Sequence, residues 1–289
     1  MGGAAKKTAC VTGGNGYIAS ALVQMLLEKG YAVKTTVRNP GDTEKNGHLM
    51  ELQALGPLEI LRADLDDEGS FDDAVAGCDY AFLVAAPVNI TTPENPEKEQ
   101  IEPSVRGTLN VMRSCAKART VRRVVLTSAA SSVCIRPLEG DGNVLDEDSW
   151  SDLDYVTAEK PPAWAYVVSK VLSEKEACRF AQEHGISLVI LCPGLTVGAS
   201  PAPKVYSSVP AGLSILSGDE AALATLKGIE SSFGAVPIVD LLDLCRAEVL
   251  LAETEAASGR SIKKQTLFGR NKDNKLRCFM RAVNLELWR

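Results

Sequence analysis

The text Thr12-Gly13-Gly14-Asn15-Gly16-Tyr17-Ile18-Ala19 limits what this chain can fold into more than any other stretch, because of what stands on either side of it. A short apolar run at residues 8–12 precedes it. An amphipathic stretch at 17–29, closed by Gly30, follows. The order predicts a strand, a tight turn and a helix. In that setting Gly13 permits the turn, Gly16 lets the backbone approach a pyrophosphate, and Ala19 is the small residue that allows close helix packing. The helix start, with Tyr17 and Ile18 beside the glycines, offers free N–H groups and the positive end of its dipole to phosphate oxygens.

The same alternation continues along the chain. Strand-length apolar runs at 32–37, 58–61, 80–84, 124–127 and 188–191 are separated by longer helical patterns, clearest at 100–118 and 163–183, the latter closing near His184 and Gly185. Near-continuous apolar strands between helices mark parallel βαβ units, so the expected class is α/β, a Rossmann-type doubly wound parallel sheet. Loops rich in Pro, Asp and Gly are expected at 39–47, 87–96 and 136–162, and a loop as long as the last is usually functional. A chain of 289 residues suits one such domain with a smaller C-terminal substrate-binding portion. The expected division is 1–190 for cofactor, 191–260 for substrate and 261–289 as a divergent tail. That tail holds eight Lys or Arg against Asp273 and Glu286, a net +6, which leaves −12 on residues 1–260.

The overall charge of −6, without a basic stripe interleaved with aromatics, argues for a small-molecule partner and against nucleic acid. No apolar stretch is long enough for a signal peptide or a membrane span, so a cytoplasmic protein without membrane insertion is expected. Eight cysteines lie scattered without a Cys-x-x-Cys pair and read as small reduced hydrophobes. Only His48 and His184 are present, neither at ligand spacing with other donors, so no metal is expected. Composition does not set the oligomeric state.

Two further patterns carry chemistry. The second strand ends Thr35-Thr36-Val37-Arg38, where an acidic residue would bind the ribose 2′-hydroxyl of NAD; a guanidinium suits a 2′-phosphate instead, so NADPH is the expected cofactor, with Lys45 in the following loop as a second charge. By topology, Asp64 and Leu65 after the third strand would meet the adenine, and Val84, Ala85, Ala86 and Pro87 after the fourth would wall the nicotinamide ribose. Tyr166 and Lys170, in Trp-Ala-Tyr-Val-Val-Ser-Lys, stand four apart on one helix face. An ammonium there would stabilise the phenolate and make a tunable proton donor.

Together these residues resemble the extended short-chain dehydrogenase/reductase superfamily, and within it the plant flavonoid reductases. Thr35-Thr36-Val37-Arg38-Asn39-Pro40, Gly77-Cys78-Asp79-Tyr80, Ala158-Glu159-Lys160-Pro161-Pro162-Ala163-Trp164 and residues 239–247 look most like the anthocyanidin-reductase branch, over about residues 6–260. The resemblance implies hydride transfer from NADPH to the electron-poor ring of an anthocyanidin, giving a flavan-3-ol. Tyr166 would be general acid, Lys170 would bind the nicotinamide ribose, and Pro193 would line the nicotinamide pocket. The chain lacks the Asn-Trp-Tyr-Cys-Tyr text of cinnamoyl-CoA reductases around Tyr166, and has Cys134 where dihydroflavonol reductases place asparagine.

It also departs from the pattern twice. The family's fifth strand usually ends Thr-Ser-Ser with a catalytic second serine, and here it reads Thr127-Ser128-Ala129. Ser131, of the same parity as Ala129 on an extended backbone, and the adjacent Ser128 are the candidate replacements. After Gly259-Arg260, where relatives continue with an apolar strand, this chain reads Ser261-Ile262-Lys263-Lys264-Gln265 with no such strand expected, as an alternative or mispredicted 3′ end would give. Other readings stay open: a catalytically impaired NADP-binding regulatory or scaffold protein, or a reductase of a dihydroflavonol or another phenolic carbonyl. An NAD-linked sugar epimerase on the same scaffold is disfavoured by Arg38.

Overall fold

A computed structural model describes residues 6–87, 93–137, 145–204, 208–233, 236–261, 266–270 and 276–280. The loop segments 88–92 and 138–144 and the tail segments 262–265 and 281–289, which the sequence reading also touched, lie outside the described residues. The elements run β1 (Thr8–Val11), α1 (Tyr17–Glu28), β2 (Ala32–Val37), α2 (Thr43–Leu52), β3 (Leu58–Arg62), α3 (Asp72–Val75), β4 (Tyr80–Leu83), α4 (Glu102–Ala118), β5 (Arg123–Thr127), α5 (Leu153–Glu159), α6 (Trp164–His184) and β6 (Leu188–Leu191). The C-terminal part adds β7 (Leu195–Val197), α7 (Ser208–Ser217), α8 (Glu220–Phe233), β8 (Val236–Asp240), α9 (Leu241–Glu253), β9 (Gly259–Ser261), β10 (Thr266–Arg270) and β11 (Leu276–Met280).

The main sheet has the order β3-β2-β1-β4-β5-β6-β9, and each adjacent pair is parallel. Strands run outward from β1 in both directions, so their carboxyl ends part between β1 and β4, the crevice where open α/β sheets bind ligands. The fold is therefore the expected doubly wound α/β sheet. Its strands are buried on both sides: Cys10, Val11, Ala81, Val124, Val125, Ile190 and Leu191 are fully enclosed, which is why their sequences read as unbroken apolar runs. On one face α1 brings Leu22, Val23, Leu26 and Leu27 onto β1, together with Leu241, Cys245 and Val249 of α9. Each such buried aliphatic side chain contributes about 2 kcal/mol of transfer free energy. On the other face Val111, Met112 and Cys115 of α4 meet Ala177 and Ala181 of α6.

A second sheet, β11-β10-β8-β7, stands apart from the main one. Ala211 of α7 and Leu226 of α8 cluster with Val236 of β8 and so cover it.

Three expectations about chain organisation change. The loop placed at 39–47 turns helical at Thr43, because the Asp42 carboxylate caps α2 by accepting from the Lys45 N–H at 3.1 Å. Lys45 therefore sits in a helical first turn. Within 136–162, Asp152 likewise caps α5 through the Tyr155 N–H at 3.0 Å. The third change is at the tail: Gly259–Ser261 forms β9 and pairs with β6 in the register Ile190↔Arg260, and β10 and β11 form an antiparallel pair on β8. Backbone pairing needs no apolar side chain, so the polar text did not prevent a strand. Of the cysteines, Cys10, Cys78, Cys115, Cys192 and Cys245 are buried, Cys134 is half-buried and Cys178 is exposed. Among the described residues no helix is long and apolar enough to cross a membrane.

Candidate active site

The glycine loop is held by its own turn, in which the Gly16 N–H donates to the Gly13 carbonyl at 2.8 Å, and by its neighbours. Gly13 has φ +71°, and a Cβ on it would lie 3.0 Å from the Ala85 Cβ, so conformation and crowding both require glycine. Its N–H donates to Thr36 Oγ1 at 3.2 Å, and the Gly14 N–H donates to the Thr36 carbonyl at 2.9 Å. Thr12 Oγ1 accepts from the N–H groups of Val84 and Ala85, each at 3.0 Å, which fixes the chain leaving β4 against the loop. Asn15 Nδ2 donates to Asn46 Oδ1 at 3.0 Å, and Asn46 Nδ2 donates to the Asn39 carbonyl at 2.8 Å, joining the loop to the segment after β2. No side chain caps α1 at Gly16, and a Cβ there would press on the Gly13 carbonyl at 3.1 Å. Uncapped first-turn amides above a side-chain-free cradle fit a bound pyrophosphate.

From this loop a cleft of about 1420 Å³ runs across the carboxyl ends of the strands. Gly13, Gly16, Tyr17, Ile18, Arg38, Lys45, Asp64 and Leu65 line one end; Val84, Ala85, Ala86 and Pro87 line the middle; Pro193, Ser128, Ser131 and Tyr166 line the other. The cleft thus unites the predicted cofactor and catalytic residues, Lys170 excepted. Arg38 is exposed, whereas the Lys45 ammonium pairs with the Asp42 carboxylate at 2.9 Å. Asn110 Nδ2 donates to the Leu65 carbonyl at 2.9 Å and holds that turn from α4. The tyrosine end widens towards Ala211, Thr225, Ile229 and Pro237 of the C-terminal part.

Tyr166 and Lys170 share one face of α6, with the ammonium 5.7 Å from the centre of the phenol ring. Lys170 is buried behind the tyrosine, where its Nζ donates to the Thr127 carbonyl at 3.3 Å and lines a separate water-sized cavity with Ser128, Ser173 and Glu174. Burial, and then the charge of Glu174, pushes the Tyr166 phenol up to about 12. Burial lowers the Lys170 pKa, against the attraction of Glu174. The expected lowering of the tyrosine pKa by lysine is therefore not the outcome: burial penalises both charged forms, and the phenol is held protonated.

The end of β5 differs from expectation as well. Ala129 is extended (φ −158°, ψ 150°) and lines the cleft without a hydroxyl, and the chain then turns through a 3-10 turn at Ala130–Ser132. The extended backbone assumed for parity does not continue, yet Ser131 still lines the cleft, and its Oγ is buried with no hydrogen-bond partner. The Ser128 hydroxyl is committed elsewhere, donating to the fully buried Glu174 carboxylate.

The chain matches the NAD dependent epimerase/dehydratase family over residues 9–262, from β1 through β9. It belongs to that family. This is the extended short-chain dehydrogenase/reductase group, and the protein is a nicotinamide-dependent oxidoreductase of it. It is 49% identical over 257 residues to an anthocyanidin reductase ((2S)-flavan-3-ol-forming) of Vitis vinifera, a match covering 89% of this chain and 76% of the relative. A dihydroflavonol 4-reductase of Arabidopsis thaliana is 43% identical over 261 residues, covering 89% of this chain and 65% of that one. Among solved structures, vestitone reductase from alfalfa (Medicago sativa L.) superposes with a TM-score of 0.73 at 33% identity, covering 89% and 76% of the two chains.

Within this family member, several residues that organise the site carried no signal in the sequence reading. Thr12, Thr36 and Asn46 act through hydrogen bonds to the glycine loop or its neighbours. Glu174 follows Lys170 by one more helical turn, so the i, i+4 spacing that exposed the dyad also pointed to it. Arg260, which pairs with Glu174 at 2.8 Å, lies 86 residues away and is visible only in the fold.

Proposed function

We propose that the protein is an NADPH-dependent reductase of a flavonoid, acting on an anthocyanidin to give a flavan-3-ol. The observation that carries this reading is the cleft that joins the glycine loop and Arg38 to Tyr166 and Ser131. The 49% identity to an anthocyanidin reductase supports the substrate class. NADPH, when bound, supplies hydride; the balance from a flavylium cation to a flavan-3-ol requires two hydrides and one proton. The chain's own residues bind, orient and protonate. Gly13, Gly16 and the start of α1 at Tyr17 and Ile18 receive the pyrophosphate, and Arg38 with Lys45 receives the 2′-phosphate. Asp64 and Leu65 border the adenine. Val84, Ala85, Ala86, Pro87 and Pro193 exclude water around the nicotinamide.

Tyr166, protonated because burial holds its pKa near 12, donates the proton to the reduced ring. Lys170 orients the nicotinamide ribose from behind the tyrosine. Ser131 supplies the hydroxyl that Ala129 lacks, while Ser128 is occupied by Glu174. The proposed cofactor half is residues 1–190, joined by α9, which packs on α1, and β9, which pairs with β6; the proposed substrate half is the rest of 191–260. Residence in the cytoplasm fits a water-soluble cofactor.

The test is NADPH oxidation with cyanidin and with dihydroquercetin, followed by product identification. The expected result is a flavan-3-ol from cyanidin with two NADPH consumed per product, and loss of turnover in Tyr166→Phe. A second reading, an NADP-binding regulatory or scaffold protein, is favoured by Ala129 alone; tight NADPH binding without turnover on either substrate would establish it.

A further inference from the structure

Behind the dyad lies a buried ion pair with an unusual set of partners. Glu174 of α6 and Arg260 of β9 meet at 2.8 Å, with side-chain exposures of 0% and 7%. The carboxylate also accepts from the Ser128 hydroxyl. The guanidinium reaches past it. Its Nη2 donates to Ser132 Oγ at 3.3 Å, its Nη1 donates to the carbonyls of Glu147, at 3.2 Å, and Ser149, and its plane lies over the Trp150 ring at 3.7 Å. Ser132 Oγ in turn donates to the Ala129 carbonyl at 2.8 Å.

The neighbouring segment grips the same turn from its other side. Ser151 Oγ donates to the Ser131 carbonyl at 2.8 Å and accepts from the Ile135 N–H at 2.8 Å, while the Ser151 N–H donates to the Ser132 carbonyl at 2.9 Å. Arg260 therefore holds the 3-10 turn directly, through Ser132, and indirectly, by anchoring residues 147–150 that lead into Ser151. Ser131 of that turn lines the cleft, and its buried Oγ has no hydrogen-bond partner. Residue 129 is fixed differently, by the ladder between β5 and β6: the N–H groups of Ser128 and Ala130 donate to the carbonyls of Leu191 at 2.8 Å and Pro193 at 2.7 Å.

We propose that the Arg260–Glu174 pair is a clamp that positions the Ser131 hydroxyl towards the substrate, and so lets this chain supply from residue 131 the hydrogen bond that alanine at 129 cannot. The inference rests on the reductase reading. It makes Arg260 and Glu174 positioning residues, and it predicts that they matter only while the hydroxyl comes from the turn. Moving the hydroxyl onto the strand ladder by Ala129→Ser should make the clamp dispensable.

The test is a double-mutant cycle. Wild type, Arg260→Lys, Ala129→Ser and the double variant are compared for kcat with cyanidin, KM and Kd for NADPH, and amide hydrogen exchange at residues 130–135. Ser131→Ala should lower kcat about a hundredfold, as loss of one preorganised donor does. Arg260→Lys should lower kcat about tenfold with NADPH affinity held, because it misplaces that donor without removing it. With Ala129→Ser present, the Arg260→Lys loss should shrink to less than about threefold, a non-additivity that a generally structural role would not produce. Ser132→Ala keeps the ion pair and removes its direct hydrogen bond to the turn together with the Ser132 Oγ–Ala129 carbonyl bond; it should show the same pattern at smaller size, and it decides the matter if Arg260→Lys fails to fold. Equal losses in both backgrounds, or a parallel loss of NADPH affinity, would overturn the clamp. Failure of the reductase reading looks different: wild type binds NADPH and turns nothing over. Hydrogen exchange then still decides, since unchanged exchange at 130–135 in both variants refutes the clamp.

Discussion

Gly14 is not one of the spaced glycines of the cofactor loop, yet it is the position in that loop with the least room. A Cβ built on it would lie 2.1 Å from Thr35 Oγ1, 2.8 Å from its Cγ2 and 3.0 Å from its Cβ. Thr35 is fully buried in β2, and its hydroxyl donates to the Val11 carbonyl at 2.8 Å across the β1–β2 pair. Rotating the threonine breaks that bond and cannot relieve the Cβ contact, so Gly14→Ala must displace the backbone that feeds Gly13 and Gly16. Overpacking of this kind costs about 1–3 kcal/mol, and a buried hydroxyl left without its partner about 1–3 more. At about 2–4 °C per kcal/mol for a domain of this size, Gly14→Ala should lower Tm by roughly 4–24 °C. Thermal unfolding followed by circular dichroism measures it. Thr35→Ala should partly rescue the defect, with the double variant more stable than the sum of the singles by about 1 kcal/mol or more. A Tm for Gly14→Ala within about 1 °C of wild type, or strict additivity with Thr35→Ala, would refute the argument.

Other outcomes follow from the site and its surroundings. Tyr166→Phe should cost about 10²–10⁴ in kcat while Kd for NADPH, read by cofactor fluorescence, stays within about threefold, because the phenol is a proton donor rather than a phosphate ligand. Arg38→Glu should raise Kd for NADPH by at least about tenfold and lower Kd for NADH, since the guanidinium meets charge only on the 2′-phosphate whereas a carboxylate accepts from the ribose 2′-hydroxyl. In an ultraviolet titration, the difference between wild type and Tyr166→Phe should show phenolate absorbance only near pH 12, where burial has moved the group; a titration near pH 10 would contradict it. Asp72, whose carboxylate takes hydrogen bonds from Lys117 and Ser114, has a lowered pKa. Its folded pKa lies below its unfolded one, so its contribution is present above the unfolded value and is lost as pH falls through the folded one. Asp72→Asn should therefore destabilise at pH 7 and converge with wild type in acid, as monitored by urea unfolding.

The nucleotide half was legible because its signals are local. The bounds read for β2 and β6 match the fold to the residue, β6 as an apolar run and β2 as a run of β-branched residues, and each glycine-loop role depended on residues within one turn of chain. α2 was missed because Asn46, Gly47 and the capping Asp42 give its text the look of a loop, although Leu49 and Leu52 bury its inner face. β8 was hidden by Pro237, which pairs with Leu267 through the antiparallel ladder to β10. The dyad was readable from its spacing, whereas its electrostatics were not: burial acts on both groups, and burial is a property of the assembled fold. The roles of Ser128 and Ser131 could not be sorted by strand parity, because the backbone turns at Ala130. Contacts such as Arg260 with Ser132, 128 residues apart, leave no periodic trace.

That separation has a consequence for the order in which the site comes into being. The glycine loop, Arg38, the end of β4 and the Tyr166–Lys170 face are all in place once β6 has been made, so a chain emerging from synthesis can pair six strands and present a nucleotide cradle early. Arg260 comes later in the chain, on a three-residue strand that docks beside β6 after β7, α7, α8, β8 and α9 have intervened, a contact of large sequence separation and so of the slower kind. Only then are Glu174 neutralised, residues 147–150 anchored and the turn carrying Ser131 set. The edge strand that ends the main sheet thus also carries the side chain that braces the turn bearing Ser131.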